Sequence, residues 1–138
     1  MILTVTNLKG GTGKTTSAVF LACMIARDLD DGQAARVVLV DADPQGSAAL
    51  WAQNTEGLPF ATVGVSSAAV GRTARDLAGR FAVVIIDTAP EHLQIAMSAL
   101  HVSDLALIPI TTGSVDLDRK STRLNSSHIQ KSRMPSSA

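Results

Sequence analysis

A glycine-rich segment near the start of the chain has the residue types of a phosphate-binding loop. Its glycines let the backbone turn N–H groups inward around phosphate oxygens, and a following helix N-terminus favours anions. Lys14 is placed to reach the β- and γ-phosphates of a nucleotide, and the Thr15 hydroxyl is placed to ligate Mg²⁺. The segment runs Lys9-Gly10-Gly11-Thr12-Gly13-Lys14-Thr15-Thr16. The sequence therefore predicts a site for nucleotide phosphates and Mg²⁺ between an apolar strand and an apolar helix.

Carboxylates follow two other apolar runs. Residues 36–40 lead into Asp41 and Asp43, and residues 81–86 lead into Asp87. A buried carboxylate is costly unless it meets a cation, hydrogen-bond donors or water. A magnesium site beside the glycine-rich loop would supply all three. We also expect a turn at residues 44–46, with Ser47 as the cap of the helix that follows.

The elements that position these residues alternate along the chain. Strand-like apolar runs occur at residues 2–6, 36–40, 81–86 and 105–110, with a weaker run at 60–65. Helical patterns occur at residues 15–29, 68–80 and 92–101. This alternation predicts an α/β fold, a mainly parallel sheet with helices on both faces. Ligands of such sheets bind at the carboxyl ends of the strands, where the residues above are predicted to lie.

Charge divides the chain into two segments. All twelve Asp and Glu residues lie at or before Asp118, whereas residues 119–138 hold five Lys or Arg, six Ser and no acid. Residues 119–138 also show no helical or strand period. We expect residues 1–118 to belong to the domain and residues 119–138 to be a basic, Ser-rich sequence artefact, similar to translated adapter or vector sequence.

The glycine-rich loop departs from the usual pattern. The motif G-x-x-x-x-G-K-[ST] requires glycine at position 8, where this chain has Leu8, and Lys9 adds a second lysine at the start of the loop. This loop resembles the deviant Walker A motif of the ParA and MinD ATPases, which have a P-loop NTPase fold. The resemblance implies that Lys9 reaches the phosphates of a partner subunit in an ATP-dependent, nucleotide-sandwich homodimer.

The resemblance also assigns roles to the carboxylates. The stretch Asp41-Ala42-Asp43-Pro44-Gln45-Gly46-Ser47 looks like the switch I region of the family, which implies that Asp43 orients or activates the attacking water. By the same resemblance Asp41 supports the water shell of Mg²⁺, and Asp87, as a Walker B residue, holds Mg²⁺ through water. The expected catalytic residues are thus Lys9, Lys14 and Asp43, and the expected metal-site residues are Thr15, Asp41 and Asp87.

Two further stretches match the family. Residues 88–90 look like its switch II, and residues 102–110 resemble the strand after Walker B in small ParA-like proteins, with Asp104 as a helix-end or turn residue. The resemblance covers residues 1 to about 118. Family members continue beyond this point, so the fold is expected to be truncated on its C-terminal side. We therefore expect an uncovered strand at residues 105–110, low stability and weak ATPase activity for the isolated chain.

The function implied by the resemblance is an ATPase switch that partitions plasmids or chromosomes or positions other cargo. In the full-length protein its partners would be non-specific DNA and a ParB-like or centromere-binding stimulator, with no membrane. Its place would be the cytoplasm, in association with the nucleoid. One cysteine, Cys23, excludes an internal disulfide and fits a reducing compartment.

Several alternatives share part of this pattern. A MinD-like ATPase has all the motifs but needs an amphipathic membrane helix, and residues 119–138 lack an apolar face. An iron–sulfur reductase has the loop, but Cys23 alone cannot supply the cluster ligands of a subunit. A P-loop kinase or biosynthetic ligase is a further alternative. A non-enzymatic DNA-binding module, resting only on the charge of residues 119–138, is the alternative of another class.

Overall fold

Strands and helices alternate along the chain in a computed structural model that describes residues 1–31, 35–65 and 67–111. The elements are β1 (Ile2–Val5), α1 (Lys14–Asp28), β2 (Val37–Ala42), α2 (Ser47–Asn54), β3 (Ala61–Gly64), α3 (Val70–Ala78), β4 (Val83–Thr88), α4 (Leu93–Leu100) and β5 (Leu105–Leu107). Residues 119–138, predicted to lie outside the domain, are outside the described residues. None of the helices within the described ranges is long and apolar enough to cross a membrane.

The five strands form one parallel sheet in the order β3-β2-β4-β1-β5. The three strands β2, β4 and β1 therefore lie side by side at its centre. Because all strands are parallel, their carboxyl ends meet at one edge, where the loops after β1, β2 and β4 come together. This confirms the predicted α/β fold with a parallel sheet.

Each face of the sheet is covered by a pair of helices, as predicted. On one face α1 and α2 pack against alternate residues of the central strands, including Leu3, Leu39 and Ile85. On the other face α3 and α4 pack against the intervening residues, including Val38, Val84 and Ile86. Both faces of the central strands are therefore buried, which accounts for their continuous Val, Ile and Leu runs.

Two predicted strand ends were wrong by two residues. The sequence placed Asp41 and Asp87 after their strands, whereas both lie inside them, in β2 and β4. The cause is the ladder between the two strands, which pairs Asp41 with Asp87 and continues to Ala42 and Thr88. Backbone pairing with a neighbour thus extends each strand past the point where its apolar run stops.

The prediction that Ser47 caps α2 was also wrong. Ser47 is the first residue of α2, and the N-cap is Gly46, which has a positive φ of 65° and gives no side-chain cap. An acceptor for this helix end comes instead from β2, because the backbone N–H of Ala49 donates to Asp41 Oδ2 at 2.8 Å. The Asp41 carboxylate therefore accepts a hydrogen bond from the start of α2, the role that was predicted for the Ser47 hydroxyl.

The strand at the β1 side of the sheet is short and exposed. β5 covers only three of the six residues predicted, and Leu105 and Leu107 are 55% and 38% exposed. Within the described residues no strand pairs with its outer edge. Asp104 precedes it as a turn residue, as predicted, and its Oδ2 accepts from the backbone N–H of Ile2 at 2.7 Å. Among the described residues, β5 is therefore an uncovered edge strand, as expected from the sequence.

Candidate functional site

The glycine-rich loop lies between the carboxyl end of β1 and the start of α1. Gly11 and Gly13 have φ angles of 69° and 79°, in the left-handed region that L side chains rarely adopt. Gly13 is the N-cap of α1, and no side chain caps this helix end. The first backbone N–H groups of α1 are therefore in the arrangement that suits an anion.

Lys14 is held close to the loop at the first position of α1. It is only 6% exposed, and its Nζ donates to the backbone carbonyl of Lys9 at 3.0 Å. The Thr12 hydroxyl donates to the same carbonyl at 3.4 Å. An ammonium has three donors, and this contact uses one of them. Lys14 therefore retains donors that could meet phosphate oxygens beside the loop.

The two buried carboxylates are next to each other on the central strands. Asp41 of β2 pairs in register with Asp87 of β4, and Asp87 pairs in register with Val5, the last residue of β1. The loop after β1 therefore starts beside Asp87. The structure thus brings together the glycine-rich loop, Asp41 and Asp87, as the sequence predicted.

Asp41 is a buried carboxylate whose two oxygens are both in use. Its Oδ1 accepts from the backbone N–H of Asp43 at 3.1 Å, and its Oδ2 accepts from the backbone N–H of Ala49 at 2.8 Å. The side chain is 1% exposed. Asp41 therefore fixes the turn after β2 and the start of α2, in addition to any part it has in binding a metal.

Asp87 has the opposite environment, since it is fully buried and neither of its carboxylate oxygens has a hydrogen-bond partner among the described residues. Burial raises the pKa of Asp87 from 3.8 to about 6, and the charges of Asp41 and Asp43 act in the same direction. The nearby Thr15 hydroxyl and the Lys14 ammonium act to lower the pKa of Asp87. The Thr15 hydroxyl is close to Asp87 but does not form a hydrogen bond with either carboxylate oxygen.

An unpartnered buried carboxylate beside a lysine and a threonine hydroxyl fits a hydrated divalent cation. A cation or its water ligands would supply the partners that Asp87 lacks. Across the described ranges no three His, Cys, Asp or Glu side chains form a group that could hold a metal. Mg²⁺ commonly binds through one or two protein oxygens and completes its shell with water and substrate phosphates. The donor set of Thr15 and Asp87, with Asp41 nearby, suits that mode.

The other predicted site residues lie around this centre. Asp43 is half-buried in the turn after β2, where its Oδ1 accepts from the backbone N–H of Gln45 at 2.8 Å. Thr15 is half-buried, whereas Lys9 and Thr16 are exposed. Asp43 is thus held in a local turn near the two buried carboxylates, while Lys9 lies at the surface of the loop.

Two polar contacts of the site were not predicted from the sequence, although Thr88 lies in the stretch that resembles switch II. Asn7 bridges two segments, because its Oδ1 accepts from Lys9 N at 2.9 Å and its Nδ2 donates to the Pro109 carbonyl at 2.8 Å. The buried Thr88 hydroxyl donates to the carbonyl of Val5 at 3.1 Å. The preference of Asn for bonding the backbone two residues on was a usable signal for the first of these contacts.

This fold and loop define a P-loop nucleotide-binding protein. Residues 3–122 match the CobQ/CobB/MinD/ParA nucleotide binding domain, and the chain belongs to this family. Two curated relatives are similar over 118 residues. The chain is 36% identical to the maintenance of carboxysome distribution protein A of Gloeobacter kilaueensis and 30% identical to protein ParA of Rhizobium radiobacter. These matches cover 84% and 83% of the chain and 51% and 50% of the relatives. The chain therefore spans about half the length of the curated relatives it matches.

Solved structures share the fold. Cobyrinic acid a,c-diamide synthase from Mycobacterium smegmatis, with an ATP analogue and magnesium, matches with a TM-score of 0.64 and 20% identity over 91% of this chain and 68% of that chain. An McdA–ATP complex from Cyanothece matches with a TM-score of 0.62 and 22% identity over 94% of this chain and 65% of that chain. At these identities the likeness establishes the fold.

Proposed function

We propose that this chain is the nucleotide-binding part of a ParA-type ATPase switch that uses ATP and Mg²⁺. The observation that carries the proposal is the presence of two buried groups at the same end of the sheet. Lys14 contacts the glycine-rich loop, and Asp87, on the strand next to β1, has no hydrogen-bond partner among the described residues. A hydrated cation accompanying a polyphosphate meets the needs of both groups. The family match and the similarity to a ParA protein support the same reading.

Each residue has a proposed task in that chemistry. Lys14 and the backbone N–H groups of the loop bind the β- and γ-phosphates, and Thr15 and Asp87 hold Mg²⁺, with Asp41 supporting its water shell. When bound, Mg²⁺ neutralises phosphate charge. Asp43 orients the attacking water, and Lys9 reaches the phosphates of a second subunit. Catalysis by such a site consists of positioning and charge stabilisation.

In the complete protein we propose that ATP induces a homodimer and that hydrolysis reverses it. The output would be plasmid or chromosome partition or cargo positioning, with non-specific DNA and a ParB-like or centromere-binding stimulator as partners. The similarity to a carboxysome distribution protein and to a ParA protein supports this range of roles. The proposed location is the cytoplasm in association with the nucleoid.

Binding of fluorescent ATP and ADP to the 138-residue chain, with and without Mg²⁺, tests the nucleotide site. We expect Lys14→Ala to weaken binding at least tenfold, because Lys14 supplies a charged contact to phosphate, an interaction of about 1.5–3 kcal/mol. The matched control is Lys120→Ala in the basic Ser-rich segment, which should bind like the wild type. Equal binding by the wild type and Lys14→Ala would contradict the proposed site.

A longer version of the protein, continued from the source genome to the length of its relatives, tests the dimer. Lys9→Ala should abolish ATP-induced dimers there while leaving monomer binding of ADP largely intact. DNA binding that requires ATP would support the switch. Salt-dependent DNA binding by residues 119–138 alone, without nucleotide, would favour a non-enzymatic DNA-binding module instead.

We also propose that residues 119–138 are not native to the domain. The change in charge and in residue type after Asp118 supports this, because all the acidic residues lie before it. Reading the uninterrupted genomic locus decides the matter. If residues 119–138 are encoded there in frame, the proposal is wrong.

A further inference from the structure

We propose that Asn7 is a positioning residue for the phosphate-binding lysine. It would act through the backbone of Lys9, to which its side chain is hydrogen-bonded. This inference deepens the proposed function and rests on it, since it assigns a new residue to the same nucleotide site.

A continuous series of hydrogen bonds connects β5 to the Lys14 ammonium. Asn7 Nδ2 donates to the carbonyl of Pro109, in the segment that leaves β5, at 2.8 Å. Asn7 Oδ1 accepts from the backbone N–H of Lys9 at 2.9 Å. The carbonyl of Lys9 in turn accepts from Lys14 Nζ at 3.0 Å. The side chain of Asn7 therefore contacts both the outer strand region and the one loop residue whose carbonyl holds the lysine.

The position of the Lys9 backbone decides where the Lys14 ammonium lies. Lys14 is 6% exposed, and its flexible stem needs a fixed acceptor to bring the charge to one place. The Lys9 carbonyl is that acceptor, and the Asn7 carboxamide fixes the same residue through its N–H. Loss of the Asn7 contact would remove one of the restraints on the Lys9 backbone and so loosen the position of the ammonium, although the Thr12 hydroxyl still contacts the Lys9 carbonyl.

The β1–β5 pairing extends almost to Asn7. The backbone N–H of Thr6 donates to the carbonyl of Leu107 at 2.9 Å, so the parallel ladder reaches the residue before Asn7. Only a side chain with both an acceptor and a donor can then bond Lys9 N and the Pro109 carbonyl together. Asparagine has both on one short side chain.

Three variants separate the two contacts. Asn7→Leu has a similar size and removes both. Asn7→Ser keeps a hydroxyl acceptor that can bond the N–H two residues on but cannot span to Pro109. Asn54→Ala, at the exposed end of α2, is the matched control for the loss of an asparagine amide.

Amide hydrogen exchange of the nucleotide-free 138-residue chain tests the contact itself. The Lys9 amide should exchange faster in Asn7→Leu than in the wild type, by roughly threefold to tenfold for the loss of one hydrogen bond. Asn7→Ser should retain most of the protection, and Asn54→Ala should match the wild type. Equal exchange of the Lys9 amide in all four proteins would overturn the proposal.

The affinity for MgATP tests the positioning role. We expect Asn7→Leu to raise the dissociation constant roughly tenfold, the effect of misplacing one charged contact, and Asn7→Ser to stay within about threefold of the wild type. A purely structural tether to Pro109 predicts instead that the two variants lose affinity equally. That result, or no loss in either variant, would overturn the proposal.

The two measurements also separate failure of this inference from failure of the proposed function. If the wild type does not bind MgATP, the proposed function is wrong, and the positioning role is wrong with it, whatever the exchange data show. If the wild type binds MgATP and the Lys9 amide is unaffected by Asn7→Leu, the proposed function stands and the role of Asn7 is wrong.

Discussion

The carboxyl ends of β2 and β4 each hold an aspartate at the same register position, but the two carboxylates differ in their hydrogen bonding. Asp41 and Asp87 face each other in the ladder, and both are buried. Asp41 accepts two backbone hydrogen bonds, whereas both oxygens of Asp87 lack a partner among the described residues. The backbone of the chain thus supplies hydrogen-bond donors to Asp41, whereas Asp87 is available to a cation or its water ligands.

The loops after these two strands differ in a parallel way. Each contains a residue with a left-handed backbone, Gly46 after β2 with φ 65° and Glu91 after β4 with φ 67°. Glycine adopts that conformation without strain, and glutamate does not. The end of β2 is therefore relaxed and hydrogen-bonded, whereas the end of β4 combines an unpartnered carboxylate with backbone strain. Such departures from local stability are typical of functional sites.

The largest expected effect on stability is at Asp41. Asp41→Ala removes the acceptor of two backbone N–H groups in a buried place, so we expect a loss of about 3 kcal/mol in the free energy of unfolding. Chemical denaturation of the nucleotide-free chain measures it. Asp28→Ala, at the exposed end of α1, is the control and should change stability little. A loss below about 1 kcal/mol in Asp41→Ala would contradict the claim that the two hydrogen bonds of Asp41 stabilise the fold.

Asp87→Asn should act in the reverse direction in the absence of Mg²⁺. The raised pKa of about 6 means that ionised Asp87 destabilises the folded state at pH 8. Replacing it with a neutral amide should raise the free energy of unfolding by about 1–3 kcal/mol. Denaturation at pH 8 measures it, with the exposed Asp76→Asn as control. Destabilisation by Asp87→Asn would contradict the account of an unpartnered charge.

The pH dependence of stability should show the same group. Because the folded pKa of Asp87 lies above its ordinary value of 3.8, the folded state binds the proton more tightly than the unfolded state. The Asp87 contribution to stability therefore falls as the pH rises from about 4 to about 6 and is constant above that range. The difference between the wild type and Asp87→Asn, followed from pH 4 to pH 8, isolates it. A pH-independent difference would contradict the raised pKa.

The smallest effects are expected at the two left-handed residues. A Cβ at Gly46 meets no atom within 4 Å, so Gly46→Ala should destabilise through backbone strain alone, by about 1 kcal/mol. Glu91→Gly should relieve the same strain and stabilise by up to about 1 kcal/mol. Thermal unfolding of both variants measures the pair. Changes of the same sign in the two variants would contradict the claim that Glu91 is strained and Gly46 is not.

The architecture was accessible from the sequence because the buried strands are continuous runs of β-branched and aliphatic residues between short connections. The phosphate-binding loop could be predicted because the residues that define it, including Gly11, Gly13 and Lys14, are close together in the sequence. The difference between Asp41 and Asp87 could not be read, since it depends on whether a neighbouring helix start presents its N–H groups to the carboxylate. The bridge from Asn7 to Pro109 likewise depends on residues far apart in sequence, whereas the capping of α2 by Asp41, 8 residues before Ala49, depends on the geometry of the turn between them.

The most direct test of the account is the Mg²⁺ dependence of ATP binding in the wild type and in Asp87→Asn. We expect Mg²⁺ to tighten ATP binding by the wild-type chain and to have little effect on ATP binding by the variant, even though we expect the variant to be the more stable protein without ligand. If Mg²⁺ strengthens ATP binding equally in both proteins, Asp87 has no part in holding the cation and the central claim is wrong.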